Sequence, residues 1–127
     1  MFVLLLMLFM HIIDDYYKQG ILASMKQKEW WKSQKEYKPL YKYDYVIALA
    51  MHSFSWAFMI MLPIAVMQII LAKSVDVSAE FVVILFANAI IHGIVDDLKA
   101  NKKTINLIVD QSIHIAQIFI TWAILAR

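Results

Sequence analysis

Four histidines are distributed one to each of the chain's four apolar stretches: His11, His52, His92 and His114. Three of them have an aspartate four positions away, His11 with Asp15, His92 with Asp96, and His114 with Asp110. On a helix of 3.6 residues per turn, side chains at i and i+4 share one face, so each pair can converge on one ion. Neutral imidazole and carboxylate are ligands for Zn, Mn and Fe, and a set with more than four such groups fits an open catalytic or two-metal site better than a closed structural one. The chain has no cysteine, which excludes thiolate ligation and a disulfide framework. Polar neighbours extend each face: Gln19 beyond His11 and Asp15, Asn88 before His92 and Asp96, Asn106 before Asp110 and His114, and Ser53 and Ser55 beside His52.

The chemistry this pattern points to is hydrolysis assisted by one or two divalent ions, with Zn the first choice and Mn or Fe as alternatives. His11, Asp15, His92, Asp96, Asp110 and His114 are the candidate metal ligands. His52 is the candidate general base, or a further ligand, and Gln19, Asn88 and Gln111 are placed to orient imidazoles and carboxylates by hydrogen bonding. Asp14 lies one position off the His11 face and has no role in this scheme.

The elements that must position these groups are membrane helices. The chain is 62% apolar with a mean hydropathy of +0.64, whereas soluble domains are about half apolar and about a quarter charged. A hydrocarbon core of ~30 Å needs about 20 mostly apolar residues, and four segments approach or exceed that length, roughly 2–22, 45–72, 81–98 and 105–126. The expected fold is all-α, a single integral-membrane four-helix bundle over residues 1–127. Pro63 should kink the second helix, and Gly93, next to His92, should let a neighbouring helix approach closely. The opening run "MFVLLLMLFM" has the length of a signal-peptide core. No Lys or Arg precedes it, however, and His11, Asp14 and Asp15 follow in place of a small-residue cleavage pattern, so it reads as the first span.

Charge sets the orientation. The connection over residues 26–44 carries Lys26, Lys28, Lys32, Lys35, Lys38 and Lys42, and the third connection carries Lys99, Lys102 and Lys103, while the middle one, "KSVDVSAE", has a single lysine. The positive-inside rule makes the first and third connections cytoplasmic and puts both termini outside. Trp30, Trp31, Tyr37, Tyr41, Tyr43 and Tyr45 alternate with the lysines of the first connection, as expected of a segment lying in an anionic headgroup layer until Pro39 breaks it. The membrane is a sufficient reason for this basic aromatic stretch, and no nucleic-acid partner is expected. In this topology every histidine lies about seven to ten residues, or ~10–15 Å, inside the cytoplasmic boundary. All four therefore reach one level. An aspartate in a span costs ~2.5–3.5 kcal/mol, so these carboxylates must pair, line a wet cavity or bind metal.

Taken in order, "HIIDDYYKQ", "HGIVDDLK" and "DQSIHIAQ" resemble an uncharacterised family of small bacterial and phage inner-membrane proteins. Its pattern is H-x-x-x-D-x-x-x-Q near the N-terminus, a lone His in the second hydrophobic segment, H-x-x-x-D followed by basic residues in the third, and D-Q-x-x-H in the fourth. Here these are His11, Asp15 and Gln19; His52; His92 and Asp96; and Asp110, Gln111 and His114. The resemblance implies a multi-pass protein of the inner (plasma) membrane and supplies no activity. A more distant similarity to membrane-embedded metal-dependent hydrolases built from His and Asp agrees with the residue chemistry.

The expected function is a metal-dependent hydrolase acting on an ester or phosphoester of lipid-like character that arrives from the cytoplasmic leaflet. Membrane lipid is then its immediate partner, and Lys99, Lys102 and Lys103 are available to an anionic headgroup. Three alternatives compete. A non-enzymatic metal carrier needs a polar route to the outer face, and "FVLLLML" and "FITWAILA" are almost wholly apolar. A haem protein pairs histidines across a bundle but has no need of an aspartate at i+4. A protein that only binds a partner, or its own copies as a homo-oligomer, leaves the polar cluster unexplained.

Overall fold

Where lipid offers no hydrogen-bond partners, an apolar run must satisfy its own backbone, and a helix does this within one segment. The computed structural model describes residues 1–34, 39–72 and 78–126, which are helical with no strand among them. Helix α1 (Phe2–Ile12) continues into a π-helical turn (Ile13–Tyr17) and is followed by the short α2 (Leu22–Met25) and α3 (Lys28–Ser33). A 3-10 turn (Pro39–Tyr41) leads to α4 (Asp44–Ala72), and α5 (Ala79–Ala100) and α6 (Leu107–Leu125) complete the chain. The last three are long and apolar enough to cross a membrane, and α4 runs unbroken through the buried Pro63.

The first segment departs from the expected helix over 2–22. The Lys18 N–H reaches back five residues to the Ile13 carbonyl at 2.9 Å, and Gly20 then adopts φ +48°, which a residue without Cβ takes at no steric cost. The chain turns there into α2. The sequence supplies the reason: Asp14 and Asp15 are consecutive and both are buried, and the wider π turn lets each find its own partner on a neighbouring helix.

Neighbouring helices run antiparallel, which divides the interior in two. In one half Leu4, Met7, Ile60, Met61, Ile64, Phe81, Ile118 and Leu125 form an apolar core. In the other, His11, Asp15, His52, His92, Asp96, Asp110 and His114 are buried together, at the end where the lysine-rich connections lie. Among the described residues, buried polar side chains are as numerous as buried apolar ones, while Leu5, Phe9, Ile47, Phe58, Ile90 and Ile120 are exposed. This polar-inside, apolar-outside distribution suits a lipid environment.

Gly93 sets the distance between α4 and α5. A Cβ at this position would lie 2.8 Å from Ser53 Oγ, so the helices touch one residue away from both His52 and His92. Gly93→Ala is expected to destabilise the protein by about 1–2 kcal/mol through overpacking, and Ser53→Ala in the same chain should recover part of the loss. Thermal melting in detergent reads both.

Side chains cap the helices at the connections. Ser78 Oγ accepts from the Phe81 N–H at 3.2 Å, and Asn106 Oδ1 accepts from the Val109 N–H at 3.0 Å. Asn106 is therefore a cap and not an extension of the Asp110 face. In the first connection, the Trp31 indole donates to the Met25 carbonyl at 2.6 Å and its ring stacks on Tyr41. Lys32 lies 2.8 Å from Glu29 and holds that exposed carboxyl below the usual carboxylate range. Lys35, Tyr37 and Lys38 of the basic aromatic stretch, and Lys73 of the middle connection, lie outside the described residues.

Candidate metal centre

His52 on α4 and His92 on α5 meet tip to tip, with their Nε2 atoms 3.1 Å apart. His52 Nε2 also lies 3.2 Å from Asp96 Oδ2 and 3.5 Å from Asp15 Oδ1. Ligand atoms held 2.0–2.2 Å from a tetrahedral divalent ion are themselves roughly 3.3–3.6 Å apart, so these separations lie within about 0.2 Å of the edges of a coordination polyhedron. Two trios of ligand atoms, each within 4.8 Å of one another, are present: Asp15, His52 and His92, and His92, Asp96 and His114. His92 belongs to both. These buried groups could hold a metal ion, and they come from the π turn after α1, from α4, from α5 and from α6.

His114 gives a sharper test of what the centre needs. The Gln117 amide donates from Nε2 to the backbone and side-chain carbonyls of Asn88, both at 3.2 Å, which turns its Oε1 toward His114 Nδ1 at 3.3 Å. His114 Nδ1 must then carry a proton. Its Nε2 faces Asp110 Oδ1 at 3.3 Å and Asp96 Oδ1 at 3.6 Å, and Nε2 and Asp110 Oδ1 are buried without a hydrogen-bond partner. A bare nitrogen lone pair facing two carboxylate oxygens is repulsive. A positive charge belongs between them, either a second proton on the ring or a metal ion.

His11 has no ring nitrogen left for a metal. The Trp56 indole N–H donates to His11 Nδ1 at 2.8 Å, so His11 carries its proton on Nε2 and donates it to Gln111 Oε1 at 3.0 Å. Both ring nitrogens are used. The Gln111 amide in turn donates to Asp15 Oδ2 at 2.8 Å and to Asp110 Oδ2 at 3.0 Å. His11 thus holds the amide that holds two carboxylates, a positioning role in place of the ligation expected from its spacing to Asp15. Gln19 donates to the other Asp15 oxygen and lies 3.3 Å from His52. Asp110 approaches His114 but belongs to neither trio.

Lysines complete the electrostatics. Lys26, expected in the headgroup layer, is only 6% exposed and places Nζ 2.6 Å from Asp96 Oδ2. Lys99, expected to be available to a headgroup, places Nζ 2.6 Å from Asp110 Oδ2, and Lys102 lies 3.4 Å from Asp97. Lys26 is delivered by the turn at Gly20 and by Asn101, whose amide donates to the Lys26 carbonyl at 3.0 Å and accepts from the Lys28 N–H at 2.8 Å. Asn101→Ala is expected to destabilise by about 1–3 kcal/mol and to raise amide exchange at Lys28 sharply, a change that hydrogen–deuterium exchange measures.

Several of these residues escaped the spacing argument. Trp56 stacks on His92 with ring centroids 4.2 Å apart, and its i+4 relation to His52 was the available signal. Gln117, three residues past His114, links that ring to Asn88, so Asn88 reaches the centre through Gln117. Asp14 finds its place as well: Ser55 donates to its Oδ1 at 2.8 Å, away from both trios. A cleft of about 500 Å³ reaches the centre beside Asp15, with Gln19, Lys26, Lys99, Lys103 and Gln111 on its walls. No family model, curated protein or solved structure matches the chain.

Proposed function

We propose that the protein is a four-span inner-membrane bundle, with both termini outside, that holds one or two divalent ions at this centre and hydrolyses an ester or phosphoester entering from the cytoplasmic leaflet. The observation that carries the reading is the pair of His/Asp trios meeting at His92, one of which includes Asp15 on the wall of a cleft. The lysine-rich end of the molecule contains that cleft, which supports a cytoplasmic opening. The order of the His, Asp and Gln motifs supports membership of the family of small bacterial and phage inner-membrane proteins that the sequence resembles.

A divalent ion in such a site supplies Lewis acidity and brings the pKa of water toward neutrality, and Zn best suits the mixed imidazole and carboxylate donors. With one ion in the trio of His92, Asp96 and His114, His52 is left as general base. Its Nε2 sits beside Asp15, the carboxylate on the cleft wall, which stabilises the imidazolium formed when the proton arrives. With the ion instead in the trio of Asp15, His52 and His92, His52 would be a ligand. Gln19 and Gln111 keep the Asp15 oxygens oriented in either case. Against a carrier function, Leu4, Met7, Ile60, Ile64 and Ile118 form an apolar core in the opposite half of the interior.

The test is a panel of ester and phosphoester lipids and their soluble analogues, assayed in detergent with metal-stripped and metal-restored protein. Turnover should require metal and fall at least ~100-fold in His52→Gln. Turnover indifferent to both chelator and His52→Gln would contradict the proposal.

A further inference from the structure

We infer that the cleft beside Asp15 is a phosphate-binding subsite built by Lys26, Lys99 and Lys103, and that the group it takes is a phosphate monoester. This inference rests on the hydrolase reading, since it names the substrate class of the same site.

Lys26 and Lys99 line the cleft and each touches an oxygen of the buried centre, Asp96 Oδ2 and Asp110 Oδ2, at 2.6 Å. An ammonium group has three N–H donors, so each lysine retains donors beyond the one spent on its carboxylate. Lys103 is exposed at the rim, where φ +54° turns the chain at the end of α5. Cationic donors from three backbone positions surround the space, an arrangement suited to a tetrahedral anion with several acceptor oxygens.

Charge selects the dianion. Without metal, Asp15, Asp96 and Asp110 against Lys26, Lys99 and a doubly protonated His114 leave the centre with no net charge to attract an anion. One divalent cation in place of that proton makes the centre singly positive, and with Lys103 the cleft becomes doubly positive, matching a phosphate monoester near neutral pH. Metal binding should therefore strengthen anion binding. Lys102 is no part of this subsite, because it pairs with Asp97 and lines a separate groove between α4 and α5.

The experiment titrates inorganic phosphate into the full-length protein in detergent, by calorimetry, with metal content measured on the same samples. Saturable binding is expected in the metal-replete protein, weakened about tenfold by Lys26→Gln and by Lys99→Gln, less by Lys103→Gln, and unchanged by Lys102→Gln. Lys99 is one-third exposed, so Lys99→Gln keeps the test sound if the buried Lys26 variant fails to fold. In a second arm, nanodiscs containing phosphatidic acid are compared with phosphatidylcholine alone. Competition with phosphate by phosphatidic acid assigns the subsite to a lipid monoester, and phosphate binding without that competition assigns it to a soluble one. Bound metal without phosphate binding, or binding indifferent to the three lysine variants, overturns the inference and leaves the metal reading standing. Phosphate binding through Lys26 and Lys99 in a protein that takes up no metal keeps the subsite and overturns the hydrolase reading. Neither metal nor phosphate overturns both.

Discussion

Asp96→Ala is expected to destabilise the protein by about 3–5 kcal/mol, among the largest single losses available to it. Asp96 is 2% exposed and is the point where Lys26, His52, His92 and His114 converge. Its removal leaves the buried Lys26 ammonium with no counter-charge, and an uncompensated buried charge costs more than the original ion pair contributed. The effect should therefore be reversible from the other side. Lys26→Met combined with Asp96→Leu removes both charges and should melt within about 1 kcal/mol of the parent, while still failing to bind metal. Thermal unfolding in detergent measures both variants. A single Asp96→Ala variant as stable as the parent would mean that Lys26 and Asp96 do not form the buried pair.

His92→Ala is expected to remove bound metal almost completely, whereas His11→Gln should keep it. The two histidines look equivalent by spacing, each having an aspartate at i+4. Their surroundings separate them. His92 belongs to both ligand trios, stacks on Trp56 with centroids 4.2 Å apart, and has the tilted His114 ring 4.1 Å away on centroids. Truncating it deletes the shared ligand and opens a cavity costing about 2–4 kcal/mol, so His92→Gln serves as the better-filled control. His11 spends both nitrogens on Trp56 and Gln111, and a glutamine there retains an acceptor and a donor. Elemental analysis of the purified variants distinguishes them. Equal metal loss in both would restore His11 to the ligand set.

The level of the site was legible in the sequence because helix geometry and lysine placement are local properties. Counting residues from each polar boundary brings His11, His52, His92 and His114 to one depth, and the antiparallel packing puts them in one half of the interior. What the sequence hid depends on partners distant in the chain. The tautomer of His11 is set by Trp56 and Gln111, and that of His114 by Gln117, whose amide is oriented from α5 by Asn88. Lys26 reads as a headgroup lysine until the turn at Gly20 and the Asn101 contacts fold α2 back to Asp96. The expected helix over 2–22 failed for a related reason: hydropathy favours continuing the helix, but burying Asp14 and Asp15 on different partners requires the π turn. Asp14 then pairs with Ser55, a residue noted beside His52 without a role.

A divalent ion among these imidazoles and carboxylates would give a distinct signature in X-ray absorption at the metal edge. Protein purified in detergent without added chelator should carry one or two divalent ions per chain. Nearest neighbours should be nitrogen and oxygen at about 2.0–2.2 Å, with the outer scattering of two or three imidazole rings. A protein that carries no ion after exposure to Zn, Mn and Fe, or one whose ion shows only oxygen neighbours and no imidazole, would contradict the account and leave a proton on His114 as the charge that holds the cluster together.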